Sequence, residues 1–288
     1  MPWRDAAGRF SWLKLLVFMG LFLPALWLVA RGFGGDLGAR PITELLRRCG
    51  DWTVRFLLLT LAVSPARAVW DWPRVVQLRR MLGVATGCYA LAHVSLYITQ
   101  QNGNLPFVAS EIVHHYYLVI GFTTLCMLMA LLVTSTDRAQ RRLKGGWKKL
   151  HRLIFPIAVL ALTHYFIQSK IDVTNATFAA GVFVWLAAWR LAPRRMQARP
   201  TLFATLAVGS ALATAAIEAL WYGLATGVPG MRVLEANLRL SPWPRPAVWV
   251  AILFLAVAII GTARRWRRRP RRGAPQPSAL AASSTSAA

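Results

Sequence analysis

The sequence predicts an all-α protein: a polytopic membrane helix bundle with a six-helix core and two extra C-terminal transmembrane helices. Three observations predict it. The 288 residues are 56% hydrophobic with a mean hydropathy of +0.45, more apolar than an ordinary soluble domain. Apolar runs of near-spanning length recur along the chain. The basic residues lie mostly between those runs.

The first run covers residues 10–30. It follows a basic flank of Arg4, Arg9 and Lys14, as a signal peptide would. No small-x-small cleavage site closes it, so a retained span is expected, with a cleaved leader as the alternative. Residues 31–51 read as a Gly-containing loop with a short interfacial helix at 41–49. A second span covers 52–69 and is ended by the turn signal at Pro65. The third, 81–99, carries His93. Residues 100–115 are polar, with Asn102, Gly103, Asn104 and Pro106 as breakers. Further spans are expected at 116–133, 147–168, 178–191, 201–222 and 247–263. Residues 264–272 are densely basic and lead into a Pro/Ala/Ser tail expected to be disordered.

Charge orients these spans. The segments 1–14, 66–80, 138–152, 190–199 and 264–272 hold 25 of the 34 Lys and Arg. They fall on one side of an eight-span chain, so both termini are expected in the cytoplasm. The net charge of +24 therefore reads as topology signalling, not nucleic-acid binding, because no soluble basic domain exists to carry it. Membrane lipid is the expected surrounding. There is no C-x-x-C-H, which excludes covalent c-type haem. Cys88 and Cys126 lie in apolar runs and read as small core residues, whereas Cys49 lies in a predicted loop.

Histidine in an apolar span is costly and usually functional. His93 lies ~18 Å along its span and His164 ~21 Å along its own, counted from the cytoplasmic side at 1.5 Å per residue. Two neutral imidazoles at one depth can clamp a haem b, and six-coordinate iron favours electron transfer. Packed, hydrogen-bonded core histidines are the alternative. His151 precedes His164 by ~20 Å of helix rise, at the inner surface, where it suits a second redox centre or a headgroup contact. No histidine opposes it, because Arg80 stands thirteen residues before His93. His164 and His151 would also be ~140° apart on an ideal helix unless Pro156 changes the phase. His114 and His115 at the outer mouth read as solvated interfacial residues or a docking point for a partner or quinone. Glu218, inside the seventh span, is a buried acid and so a functional candidate, with hydrogen bonding to neighbouring helices as the plainer reading.

Three blocks carry a resemblance: PITELLRRCGDWTVRFLLLTLAVSP at 41–65, RRMLGVATGCYALAHVSLY at 79–97, and LVTSTDRAQRRLKGGWKKLHRL at 132–153, the last followed by the His164 helix. Together they resemble the MsrQ/YedZ family, within the ferric-reductase-like transmembrane superfamily. The resemblance covers roughly residues 10–195. It implies an inner-membrane b-type cytochrome with one or two haem b groups and the family's haem-iron histidines at His93, His151 and His164. It implies electrons taken from cytoplasmic flavin (FMN), through a flavin reductase, or from the quinone pool. They would be delivered to a periplasmic molybdopterin sulfoxide reductase, MsrP-like, that repairs oxidised methionine in proteins. Sulfoxide reduction itself is then expected on the partner. A flavin phosphate would suit Arg79, Arg80, Arg142, Lys148 or Lys149, although a positive-inside loop needs no ligand to explain its charge.

The resulting domain expectation is a haem-binding core at 1–199, a two-helix extension at 200–263 and a basic tail at 264–288. The extension departs from the family. A transmembrane ferric or quinone reductase with a different acceptor is the alternative function, and a structural or transport protein is a third. No G-x-G-x-x-G nucleotide-binding domain is present to make the chain a self-contained reductase.

Overall fold

The computed structural model describes residues 3, 4, 8–239 and 243–268. The described residues are helical, with seven helices long and apolar enough to cross a membrane. The expected disordered tail lies almost wholly outside them.

Helix α1 (Trp12–Phe33) starts at Ser11, whose hydroxyl caps the Lys14 N–H. It contains Pro24, and just past that point its hydrogen-bond ladder opens. The Tyr89 hydroxyl enters the gap, donating to the Leu21 carbonyl at 2.8 Å and accepting the Ala25 N–H at 3.1 Å. This insertion pins an otherwise exposed helix to the bundle.

The sequence reading separates residues 41–49 from the second span. The structure joins them in one 30-residue helix, α2 (Pro41–Trp70), which runs through Pro65. The residues beyond the proline are packed: Val69 is fully buried, and α12 approaches it at Gly261. Tertiary burial therefore outweighs the proline's cost. Helix α3 (Arg79–Gln100) returns antiparallel to α2, with Gln100 hydrogen-bonded to Thr43 at one end and Arg79 to Ser64 at the other.

Asn102 and Gly103 both take positive φ and turn the chain. The segment expected as a polar loop then forms α4 (Leu105–His114), capped by the Asn104 side chain on the Phe107 N–H. Helix α5 (Tyr116–Val133) has the predicted bounds. The basic loop contains two short helices, α6 (Asp137–Leu143) and α7 (Gly145–Leu150). The span expected as one helix over 147–168 is interrupted: a 3₁₀ turn, His151–Leu153, separates α7 from α8 (Ile154–Ser169). Pro156 sits in the first turn of α8, where a missing N–H costs no helical bond.

Helix α9 (Thr174–Leu191) is the expected sixth span, but it falls outside the seven spanning candidates. It is rich in Ala, Thr and Trp and buried against α2, α8, α10 and α12, so it needs little lipid-facing apolar surface. Helices α10 (Pro200–Thr226) and α12 (Pro246–Arg268) flank the short α11 (Gly230–Leu238). One buried cluster runs from Val54, Leu58 and Val69 of α2 through Trp185 and Trp189 of α9 to Phe203, Ala207, Val250 and Phe254. The two-helix extension thus shares a core with the preceding helices.

Candidate functional site

Helix α3 packs on α2 and α5, and α8 packs on the same two helices. The four form a ring in which α3 and α8 face each other. His93 lies seven residues from the end of α3 and His164 five from the end of α8, or ~10 Å and ~8 Å from the same face.

Each ring is held the same way. His93 Nδ1 lies 2.9 Å from the Leu46 carbonyl on α2, and His164 Nδ1 lies 2.8 Å from the Tyr117 carbonyl on α5. A carbonyl only accepts, so Nδ1–H donates, and the lone pair of each neutral ring is on Nε2. That is the tautomer a metal-bound imidazole uses, with its second nitrogen oriented by an outer hydrogen bond. Gly50 and Gly121 supply the space. A Cβ on Gly50 would meet His93 Cε1 at 3.0 Å, and one on Gly121 would meet His164 Cε1 at 2.8 Å. Two half-buried imidazoles with free Nε2 atoms facing across a bundle fit the axial ligand pair of a haem.

The other histidines differ. His114, His115 and His151 each bond Nδ1 to a carbonyl four residues back on their own segment: Ser110, Glu111 and Trp147. His114 is exposed at the C-terminal end of α4, and His115 lies 3.5 Å from Glu111. His151 sits in the 3₁₀ turn, its ring stacked on Trp147 with centroids 3.9 Å apart. Its Nε2 is buried without a hydrogen-bond partner among the described residues. Arg80, at the position that would oppose it, is paired with Asp137 of α6. Leu57, Leu128, Leu131, Ile157 and Ala158 fill the half of the ring away from the C-terminal ends of α3 and α8, and Leu132 presses on Gly87. The residues there do not form a second facing imidazole pair.

Of the basic candidates for a flavin phosphate, Arg79 and Arg80 are engaged with Ser64 and Asp137, while Arg142, Lys148 and Lys149 are exposed on α6 and α7. The cysteines reverse the sequence reading. Cys49 lies inside α2, buried, its thiol directed at the Tyr89 carbonyl, whereas Cys88 and Cys126 are exposed on their helix surfaces. Glu218 is 1% exposed. It accepts from Asn237 at 2.8 Å and from Arg245 at 2.6 Å, tying α10 to α11 and to the start of α12. The side-chain hydrogen bond to Glu218 raises the Arg245 guanidinium above its ordinary value.

Four residues around the His93–His164 pair escape a reading of the sequence alone. Gly50 and Gly121 look like indifferent helix glycines until the rings against them are seen. Asp51 is 7% exposed inside a spanning helix, and Tyr165 follows His164 on α8. A mid-helix C-G-D triplet (49–51) is the signal that could have drawn notice.

The profile of the family described as ferric reductase like transmembrane component matches residues 49–162. That stretch holds His93 and His151 and stops two residues before His164. Three curated relatives carry the name protein-methionine-sulfoxide reductase heme-binding subunit MsrQ. The protein of Rhodospirillum rubrum is 40% identical over 192 residues, 66% of this chain and 90% of the relative. That of Xanthomonas euvesicatoria is 39% identical over 178 residues, 60% and 82%, and that of Xanthomonas campestris is 39% identical over 170 residues, 58% and 78%. No solved structure matches the chain. With most of each relative's length covered at this identity, and with the described residues forming a multi-pass helical membrane protein, the chain belongs to the MsrQ family of ferric-reductase-like membrane proteins.

Proposed function

We propose that this chain is a haem b electron-transfer subunit, with the haem iron held between Nε2 of His93 and Nε2 of His164. The observation that carries the reading is the shared tautomer: both rings give Nδ1–H to a carbonyl of the neighbouring helix. The relatives' name, which includes heme-binding, supports it. When bound, a haem held by His93 and His164 would supply a one-electron carrier, which suits transfer rather than oxygen chemistry.

The chain's own residues do the rest. Leu46 and Tyr117 orient the rings, and Gly50 and Gly121 give them room. The bundle excludes water from the ligand nitrogens. On the basic inner side, His151 stacked on Trp147 would mark where electrons from a flavin such as FMN, or from quinone, enter. Arg142, Lys148 and Lys149 offer exposed charge for a flavin phosphate, with Arg79 and Arg80 behind them. On the outer side, α4 and the start of α2 face a periplasmic molybdopterin sulfoxide reductase of MsrP type, where oxidised methionine is reduced. The chain sits in the bacterial inner membrane with both termini cytoplasmic. His151 is a third haem-related residue on the donor side; as an iron ligand it would need a non-histidine partner.

Replacing His93 or His164 with Ala should abolish the low-spin haem spectrum while the protein still inserts. Retention of the full spectrum in either variant contradicts the pairing. The family profile's description favours one second reading, a transmembrane ferric reductase. Iron(III) reduction by the purified, reduced protein without any partner would support it.

A further inference from the structure

We propose that the groove between α1 and α3 holds one anionic phospholipid, with its phosphate at Lys14 and its acyl chains along the groove. The proposal is independent of the haem reading above.

The groove has a volume of about 1000 Å³. Its α1 wall recurs every three or four residues from Phe18 through Phe22 and Ala25 to Val29, and its α3 wall from Met81 through Cys88 to Leu96. Each wall is one face of a helix. The walls run ~17 Å and ~22 Å, more than the ~15 Å of hydrocarbon in one leaflet. Small residues between membrane helices usually let the backbones approach. Here Ala25, Cys88 and Ala92 line open space instead. The Tyr89 side chain bridges the two helices and sets their spacing, its hydroxyl inserted in the α1 ladder.

All of the charged lining lies at one end, where α1, α3 and α6 begin: Lys14, Arg80 and Asp137, with the Gln77 amide at the same end. Arg80 is paired with Asp137. Lys14 gives one N–H to the Arg4 carbonyl at 2.7 Å and keeps two donors. Neither the Lys14 charge nor the Gln77 side chain is met by a further partner among the described residues. This mouth therefore carries one uncompensated positive charge and free N–H donors, the complement of a phosphodiester. Along the shaft, polar hydrogens are already used. Tyr89 O–H goes to the Leu21 carbonyl, Cys49 S–H to the Tyr89 carbonyl, and the Thr99 hydroxyl to the Ser95 carbonyl. An occupant is thus recognised by charge at one end and by apolar contact over the rest. A neutral quinone head would leave the Lys14 charge unanswered.

The test is native mass spectrometry of the detergent-purified full chain. Electron paramagnetic resonance of spin-labelled phosphatidylglycerol, in phosphatidylcholine vesicles carrying the reconstituted protein, is recorded alongside. The wild type should retain one phosphatidylglycerol per chain and immobilise the labelled lipid in preference to labelled phosphatidylcholine. Lys14→Gln should reduce that preference about fivefold. Cys88→Phe, which fills the shaft midway, should remove the retained lipid while the chain stays folded. If Cys88→Phe does not fold, Ser95→Phe, farther along the groove, takes its place. A wild type that retains no lipid, retains a quinone instead, or holds both labelled lipids equally overturns the proposal. So does an unchanged preference in Lys14→Gln, full lipid retention in folded Cys88→Phe, or a dimer that Cys88→Phe dissociates, which would place a second copy in the groove.

Discussion

Gly121 lies under the imidazole of His164 so closely that a methyl group there would meet Cε1 at 2.8 Å. The relationship is repeated between Gly50 and His93, at 3.0 Å. In both cases the glycine is one turn beyond the residue whose carbonyl holds Nδ1: Leu46 then Gly50, Tyr117 then Gly121. The sequence separation from carbonyl to histidine is 47 residues in both. The α2–α3 and α5–α8 pairs thus use one device twice, on opposite sides of the ring.

From this follows the first expectation. Gly121→Ala should push the His164 ring off its carbonyl and perturb the low-spin haem signal, and Gly50→Ala should do the same more mildly. Gly209→Ala, with nothing within 4 Å, should leave the spectrum unchanged. Electron paramagnetic resonance of the three variants checks the order. A normal signal in Gly121→Ala would remove the glycine from the site.

His151 and Trp147 give a second expectation. Their stack lies away from the paired imidazoles, so Trp147→Ala and His151→Ala should preserve the haem-to-protein ratio and slow reduction by a flavin donor added on the inner side. Stopped-flow reduction measures it. Loss of the main haem band in His151→Ala would mean that this histidine ligates iron.

Tyr89 provides a third, on stability alone. Tyr89→Phe removes the hydroxyl that serves both the Leu21 carbonyl and the Ala25 N–H. Leaving these unsatisfied should cost about 1–3 kcal/mol. A lower thermal midpoint in detergent, with an unchanged haem spectrum, is the expected result.

A fourth concerns Glu218. Glu218→Ala strands Asn237 and Arg245, whose side chain is 34% exposed. Breaking a fully buried pair costs more, but this exposure brings the expected loss to roughly 1–3 kcal/mol. The thermal midpoint should fall while the haem signal stays. A changed haem signal would extend the role of this cluster beyond holding α10–α12 together.

Much of the fold is legible in the apolar runs. Residues 116–133 appear as α5 with the predicted ends because a polar boundary stands at each side. Other boundaries depend on neighbours. Pro65 fails to stop α2 because Val69 is packed against α12. The predicted 147–168 helix breaks at His151 in a turn that no periodicity announces. That His93 and His164 lie at like depths in α3 and α8 is legible because helix rise converts sequence position into depth. What makes the rings usable is not: the two carbonyls and the two glycines come from other helices, tens of residues away. The misreading of Cys49 has the same origin, since its segment looks like a loop until it joins α2.

The central claim is that His93 and His164 hold a single haem iron between them. Near-infrared magnetic circular dichroism on the purified wild-type protein, with haem quantified per chain, tests it most directly. The account predicts one low-spin haem per chain with the charge-transfer band of bis-imidazole ligation. A high-spin haem, or a histidine–methionine band, would contradict it.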